Sequence, residues 1–511
     1  MVVFMHTSNK TIAKNTLFLY ARMLIVMAVT LYTSRMILEI LGVSDYGLYN
    51  VVGGIVTMLS FVNGALSVST SRFLTYELGK RNKEKLNQTF SASLSLHFLL
   101  ALLVLFLGET VGLWFFYEKL VIPADRLQAA FWVYQFSILT TMVSFTQVPY
   151  NASLIAHENM SIYAYVGLYE AFSRLLIVFL LQISPIDQLV CYSFLLMLNN
   201  IGIQFFYRFY TSNKYAECRF RIIRDKKLYN SLLRYSVWDL FGNIAAVCQG
   251  QGINILLNMF FGPVVNAARA ITFQIQNALG LFISSFLTAV RPQVVKSFAN
   301  GNSAEMYRLT FNAAKYSYLL MFTLMFPLCL ELDYVLHLWL GNNVPADTYR
   351  FTIIVLVTYL MQTFHSAYLM SYHAIGRIKT GNIVGGLLMI SALPISYVCL
   401  KCRFPAYSVF IVIFIVNFIQ MFFGWWLIRG YVRFRWMDLI HITYCPCVFI
   451  TLLAVFFPVW IHQVMPVGFV RLVAISVTNF LIVSVLTYFI ALDSSDRQKV
   501  SLFIKNKIER K

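Results

Sequence analysis

Along this chain apolar residues come in long unbroken runs, and polar or basic residues are confined to the short intervals between them. About fourteen such runs of about 20 residues recur, each long enough as a helix to cross roughly 30 Å of hydrocarbon. They begin near Asn15, Tyr46, Gln88, Leu127, Ser161, Gln188, Leu232, Pro263, Leu309, Phe351, Gly381, Tyr407, Leu439 and Gly468. The pattern predicts an all-α polytopic membrane protein with about fourteen transmembrane helices, because a helix satisfies its own backbone polar groups where no water reaches them. The first run, Asn15 to Leu38, lacks a following small-residue cleavage site and reads as a retained span.

Composition agrees with that pattern. Of the 511 residues 59% are hydrophobic and 12% charged, with a mean hydropathy of +0.70, well outside the soluble globular range. The formal net charge of +19 does not indicate nucleic acid, since no basic and aromatic recognition module accompanies it. Topology accounts for it instead, because loops facing the cytoplasm carry an excess of lysine and arginine. Alternate loops hold Lys80, Arg81, Lys83 and Lys85; Arg219, Arg221, Arg224, Lys226 and Lys227; Arg291, Lys296 and Arg308; Arg377 and Lys379; and Arg429, Arg433 and Arg435. Together with the basic tail they predict an even number of spans, with both termini cytoplasmic.

The eight cysteines are mostly isolated within spans, and the single CxxC, Cys399 and Cys402, lacks the four ligands of a structural zinc site. No metal and no cofactor are expected. The chain has no GxxxxGK[ST] phosphate loop, so nucleotide hydrolysis is not expected either.

Two stretches echo each other at an offset of about 220 residues, the signature of an internal duplication. LGVSDYGLY opens one at Leu41 and FGPVVNAARAI opens the other at Phe261. Each begins with a glycine at a helix entrance, continues through a small-residue span and reaches an arginine, Arg72 or Arg291. The echo predicts two six-helix lobes related by a parallel pseudo-two-fold repeat, plus two C-terminal helices. The expected boundaries are 1–215 for spans 1–6, 216–435 for spans 7–12, 436–492 for the extra pair and 493–511 for a basic cytoplasmic tail.

At these residues, through LGVSDYGLY, STSRF, FGPVVNAARAI and AVRPQVVKSFANG, the chain resembles the polysaccharide flippases of the multidrug, oligosaccharidyl-lipid and polysaccharide (MOP) exporter superfamily. The resemblance implies transfer of an undecaprenyl-pyrophosphate-linked oligosaccharide across the bacterial inner membrane by alternating access, for surface polysaccharide biosynthesis. It implies a lipid-linked oligosaccharide, membrane lipids and other polysaccharide assembly proteins as partners, and no nucleic acid.

Charges inside spans point to a site, since one at the bilayer centre costs about 2.5 to 3.5 kcal/mol on insertion scales. Arg22, Arg174 and Arg269 are the candidates for a cationic cavity, because a guanidinium binds phosphate oxygens bidentately and keeps its charge. Glu170 lies one turn before Arg174 and either sets its rotamer or neutralises it for packing. Asp239 is a coupling site or an interfacial partner for Arg234. Gln249, Gln251 and Asn266 are supporting polar groups, facing sugar or bonding between helices. A cation-coupled multidrug exporter of the same superfamily predicts an acidic cavity instead, where span 1 here offers Arg22. A membrane oligosaccharide polymerase or transferase predicts a sizeable outer loop, and the outer loops, such as GNNVPADTYR, are short.

Overall fold

The computed structural model describes residues 9–58, 70–71, 73–78, 80, 82–157, 160–375, 379–431, 434–492 and 497–498. Side chains are described for all of these except 9–23, 155, 160–161, 163–164, 234–240, 289, 292, 295–296, 299 and 431. The regular elements are helices, and they follow the apolar runs. Twelve helices among the described residues are long and apolar enough to cross a membrane. Two of the expected spans are not counted separately there. One begins on the second limb of the first helix and continues into residues 59–69, outside the described residues, and one falls on a helix whose hydropathy is diluted by Thr140, Thr141, Ser144, Thr146 and Gln147.

The chain divides into two compact units, Met1–Ala270 and Ile271–Lys511. The first unit holds α1 (Asn9–Met58), α2 (Lys83–Glu118), α3 (Leu127–Ala156), α4 (Met160–Gln182), α5 (Gln188–Lys214), α6 (Lys226–Phe261) and the opening turns of α7 (Pro263–Ala299). Within it α3 packs against α1, α2 and α5, while α1 also contacts α4 and α6.

Two glycines set the corners of this unit. Gly42 breaks α1 into two limbs at φ 76°, ψ 169°, and Gly262 separates α6 from α7 at φ 77°, ψ −175°. That region of backbone space is essentially reserved for glycine, so the two residues that open the sequence echo also share one conformation. Beyond the first corner, Gly47 lies so close to the start of α7 that a Cβ there would meet the Pro263 carbonyl oxygen at 1.8 Å. Small residues let helix backbones approach where lipid supplies no hydrophobic drive. Polar bonds follow from that approach: Asn254 Nδ2 donates to the Asn50 carbonyl at 3.2 Å, and Asn266 Nδ2 donates to the Asn254 carbonyl at 2.6 Å.

The second unit holds the rest of α7, α8 (Ser303–Leu330), the short α9 (Leu332–Leu340), α10 (Thr348–Ile375), α11 (Lys379–Lys401), α12 (Ser408–Tyr431), α13 (Trp436–Val464) and α14 (Phe469–Ala491). Polar side chains fasten the last two helices to α8 along much of its length. Thr443 donates to the Phe311 carbonyl, Lys315 to the Ala491 carbonyl and Asn479 to the Thr323 carbonyl. At the far end of α8 the buried Glu331 accepts from Arg471 at 2.7 Å and meets His462 Nδ1 at 2.7 Å. Arg471 also donates to the carbonyls of His462 and Met465, which close the end of α13 and have no helical partner of their own.

Candidate functional site

The second limb of α1, together with α3, α5 and α6, encloses a cavity of about 280 Å³ inside the first unit. Its wall is uncharged and mixes polar with apolar surface: among the described residues no Asp, Glu, Lys, Arg or His lines it. The polar side chains are Tyr49, Asn50 and Thr57 from α1, Ser137, Thr140 and Thr141 from α3, Ser193 and Asn200 from α5, and Gln251 from α6.

Local helix chemistry decides what this wall presents. Serine and threonine inside a helix return their hydroxyl hydrogen to the carbonyl three or four residues back. Here Thr57 donates to Gly54, Ser137 to Val133, Thr140 to Phe136 and Ser193 to Leu189. The amides of Asn50 and Asn200 likewise donate to the carbonyls of Tyr46 and Leu196. Each asparagine therefore keeps its side-chain oxygen and the second hydrogen of its amide as remaining groups. Tyr49 and Phe136 supply aromatic surface, and Tyr49 packs on Tyr192 with ring centroids 5.0 Å apart.

Two arginines of this unit lie outside that wall. Arg174 Nη2 donates to Glu170 Oε1 at 2.6 Å across one turn of α4, with 47% of the arginine side chain exposed. The helix that carries Arg174, α4, packs against α1 and α5. Arg269 is part-buried near the start of α7, and its Nη2 donates to the Gly250 carbonyl at 2.7 Å, beside the wall residue Gln251. Of the supporting groups, Gln251 lines the cavity while its Oε1 accepts from Asn254 at 3.4 Å. The Nε2 of Gln249 is buried. Asn266 is fully buried and holds both the carbonyl and the side-chain oxygen of Asn254, as an inter-helix bond does. The side chains of Arg22, Arg234 and Asp239, and residue Arg72, lie outside the described residues.

Sequence reasoning passed over three buried charges of the second unit, Lys315, Glu331 and Arg471. Lys315 was visible as a cation within the apolar run that begins near Leu309. The neutral cavity carried no comparable signal, because serine, threonine and asparagine are ordinary in membrane helices.

No protein-family profile matches the sequence, and no curated protein matches it. Solved structures do. Over 93% of this chain and 98% of the other, it superposes on the lipid II flippase MurJ in its inward closed conformation, with a TM-score of 0.72 at 13% identity. The fold is that of the MOP-superfamily transporters. An inward-facing multidrug-resistance MATE transporter of that superfamily matches with a TM-score of 0.65 at 14% identity, over 79% of this chain and 94% of the other. A MOP transporter from Pyrococcus furiosus, described as having a binding pocket of reversed polarity, matches at 0.59 and 14% identity, over 82% and 94%. These neighbours are transporters, and the chain is a multi-pass membrane protein of their fold.

Proposed function

We propose that this MOP-fold protein moves an undecaprenyl-pyrophosphate-linked oligosaccharide across the bacterial inner membrane for surface polysaccharide biosynthesis, with both termini cytoplasmic. The observation that carries the reading is the unit-1 cavity, whose described wall has no carboxylate, while Arg174 lies on α4, a helix packed against two of the wall helices. A cation-coupled exporter needs an acid facing its ligand, and Glu170 is already held by Arg174. Arg174 recognises the diphosphate through its planar fork, with Glu170 fixing the rotamer. Arg22 and Arg269 supply further positive charge for the same headgroup, and Asp239 supports or couples the cycle.

The membrane potential supplies a driving force of the right sign. Each negative charge leaving an inside-negative compartment gains about 2.3 kcal/mol per 100 mV, so a doubly anionic headgroup gains about 4 to 5 kcal/mol.

Deleting the gene tests the assignment. The expected result is loss of surface glycan, with its lipid-linked precursor accumulating on the cytoplasmic leaflet. Unchanged glycan together with new sensitivity to cationic drugs would replace this reading with drug export.

A further inference from the structure

We propose that the unit-1 cavity is a sugar subsite, holding one neutral ring of the cargo while the diphosphate stays outside it beside Arg174. The inference rests on the flippase reading above and adds a division of labour within it.

The argument starts from hydrogen-bond polarity. Four hydroxyls of the wall, Thr57, Ser137, Thr140 and Ser193, spend their hydrogens on their own helices, while Asn50 and Asn200 each give one amide hydrogen to their own helix and keep the second. The wall therefore offers both acceptor oxygens and N–H donors, and no charge. A diphosphate finds no counter-charge on such a wall. A sugar ring, whose hydroxyls both donate and accept and carry no charge, matches it.

The remaining features fit a ring. Gln251 has its Oε1 engaged by Asn254, which leaves its amide N–H groups to donate to a ring or hydroxyl oxygen. Tyr49 and Phe136 give apolar faces for the C–H side of a ring. The volume of about 280 Å³ lies just under the roughly 300 Å³ at which pockets for drug-sized ligands begin, so a single ring fits and a whole repeat unit does not.

Gly53 gives a means of closing the subsite. It lines the cavity, and a Cβ added there meets only Ser137 Oγ, at 3.9 Å. Gly53→Leu therefore adds an apolar side chain at a wall position whose Cβ itself meets no backbone. A second variant, T140V with N200L, keeps the shape and removes two acceptor oxygens.

The experiment measures binding of two probes to the purified full-length protein: the lipid-linked glycan extracted from cells that encode it, and sugar-free undecaprenyl pyrophosphate. The wild type is expected to bind the glycan form at least tenfold more tightly. In both variants that preference should fall to within twofold, with binding of the sugar-free lipid unchanged. A wild type with no preference, or variants that retain it, overturns the sugar subsite while leaving the flippase reading intact. Failure of the wild type to bind either lipid overturns both.

Discussion

Arg174 and Glu170 face each other across one turn of α4 with 2.6 Å between Nη2 and Oε1. An ion pair so formed holds the guanidinium in one orientation while its outer edge stays available, since 47% of the arginine side chain is exposed. The glutamate that looks out of place in an apolar helix is accounted for by that orientation.

Arg174→Ala should abolish glycan export while the protein remains inserted at normal level. Arg174→Lys keeps the charge but loses the bidentate fork, and should retain only part of the activity. Surface glycan measured against protein level in isolated membranes checks both, and full export by the alanine variant would remove Arg174 from the mechanism.

Glycine positions separate by what surrounds them. Gly47→Ala forces a Cβ into the Pro263 carbonyl, and Gly42→Ala puts a side chain at φ 76°, a strain of about 1 to 3 kcal/mol. Gly202, with nothing within 4 Å of an added Cβ, should accept alanine with unchanged or raised stability. Melting temperatures in detergent should rank wild type and Gly202→Ala above Gly42→Ala, with Gly47→Ala lowest.

Glu331 and Arg471 form a buried pair in the second unit. Removing one partner strands the other charge, and breaking a buried pair costs about 3 to 5 kcal/mol. Arg471→Met alone should strongly destabilise the protein, while E331M with R471M should recover most of the loss. Equal melting temperatures for the single and double variants would deny the coupling.

Asp187 caps α5 outside the apolar run and accepts from Arg126 at 2.6 Å. Burial pushes its carboxyl up, but the Arg126 hydrogen bond and charge and the N–H groups of Val190 and Leu189 outweigh that and hold it below its ordinary value. A lowered carboxylate contributes stability fully above the unfolded value near about pH 4, and loses it as pH falls through the folded value. Asp187→Asn should therefore flatten the acid limb of the melting curve below about pH 4 and leave no new dependence at neutral pH.

Cysteine labelling tests orientation. All eight cysteines are unpaired thiols, Cys402 is exposed and Cys218 buried. Burial pushes the Cys218 thiol up to about 12, which keeps it as the unreactive thiol. A membrane-impermeant maleimide should label Cys402 from outside intact spheroplasts and leave Cys218 unlabelled even after permeabilisation. Labelling of Cys402 only after permeabilisation would invert the proposed topology.

The helices were legible in the sequence because a span needs only length and apolarity. The corners at Gly42 and Gly262 were legible too, through an echo whose two glycines adopt the same backbone conformation. The pairing of Glu331 with Arg471 was not, because 140 residues separate the partners and neither neighbourhood announces the other. The uncharged cavity stayed hidden for a different reason. It arises where four helices converge, and each of its hydroxyls alone looks like any membrane serine or threonine.

The most direct test is transport itself, in proteoliposomes holding the purified protein and the lipid-linked oligosaccharide, with arrival of sugar on the far leaflet read by a membrane-impermeant lectin. The account predicts movement that accelerates under a potential negative on the side of departure and disappears in Arg174→Ala. Glycolipid that stays on its original leaflet at every imposed potential, in vesicles that do take up cationic drugs, would contradict it.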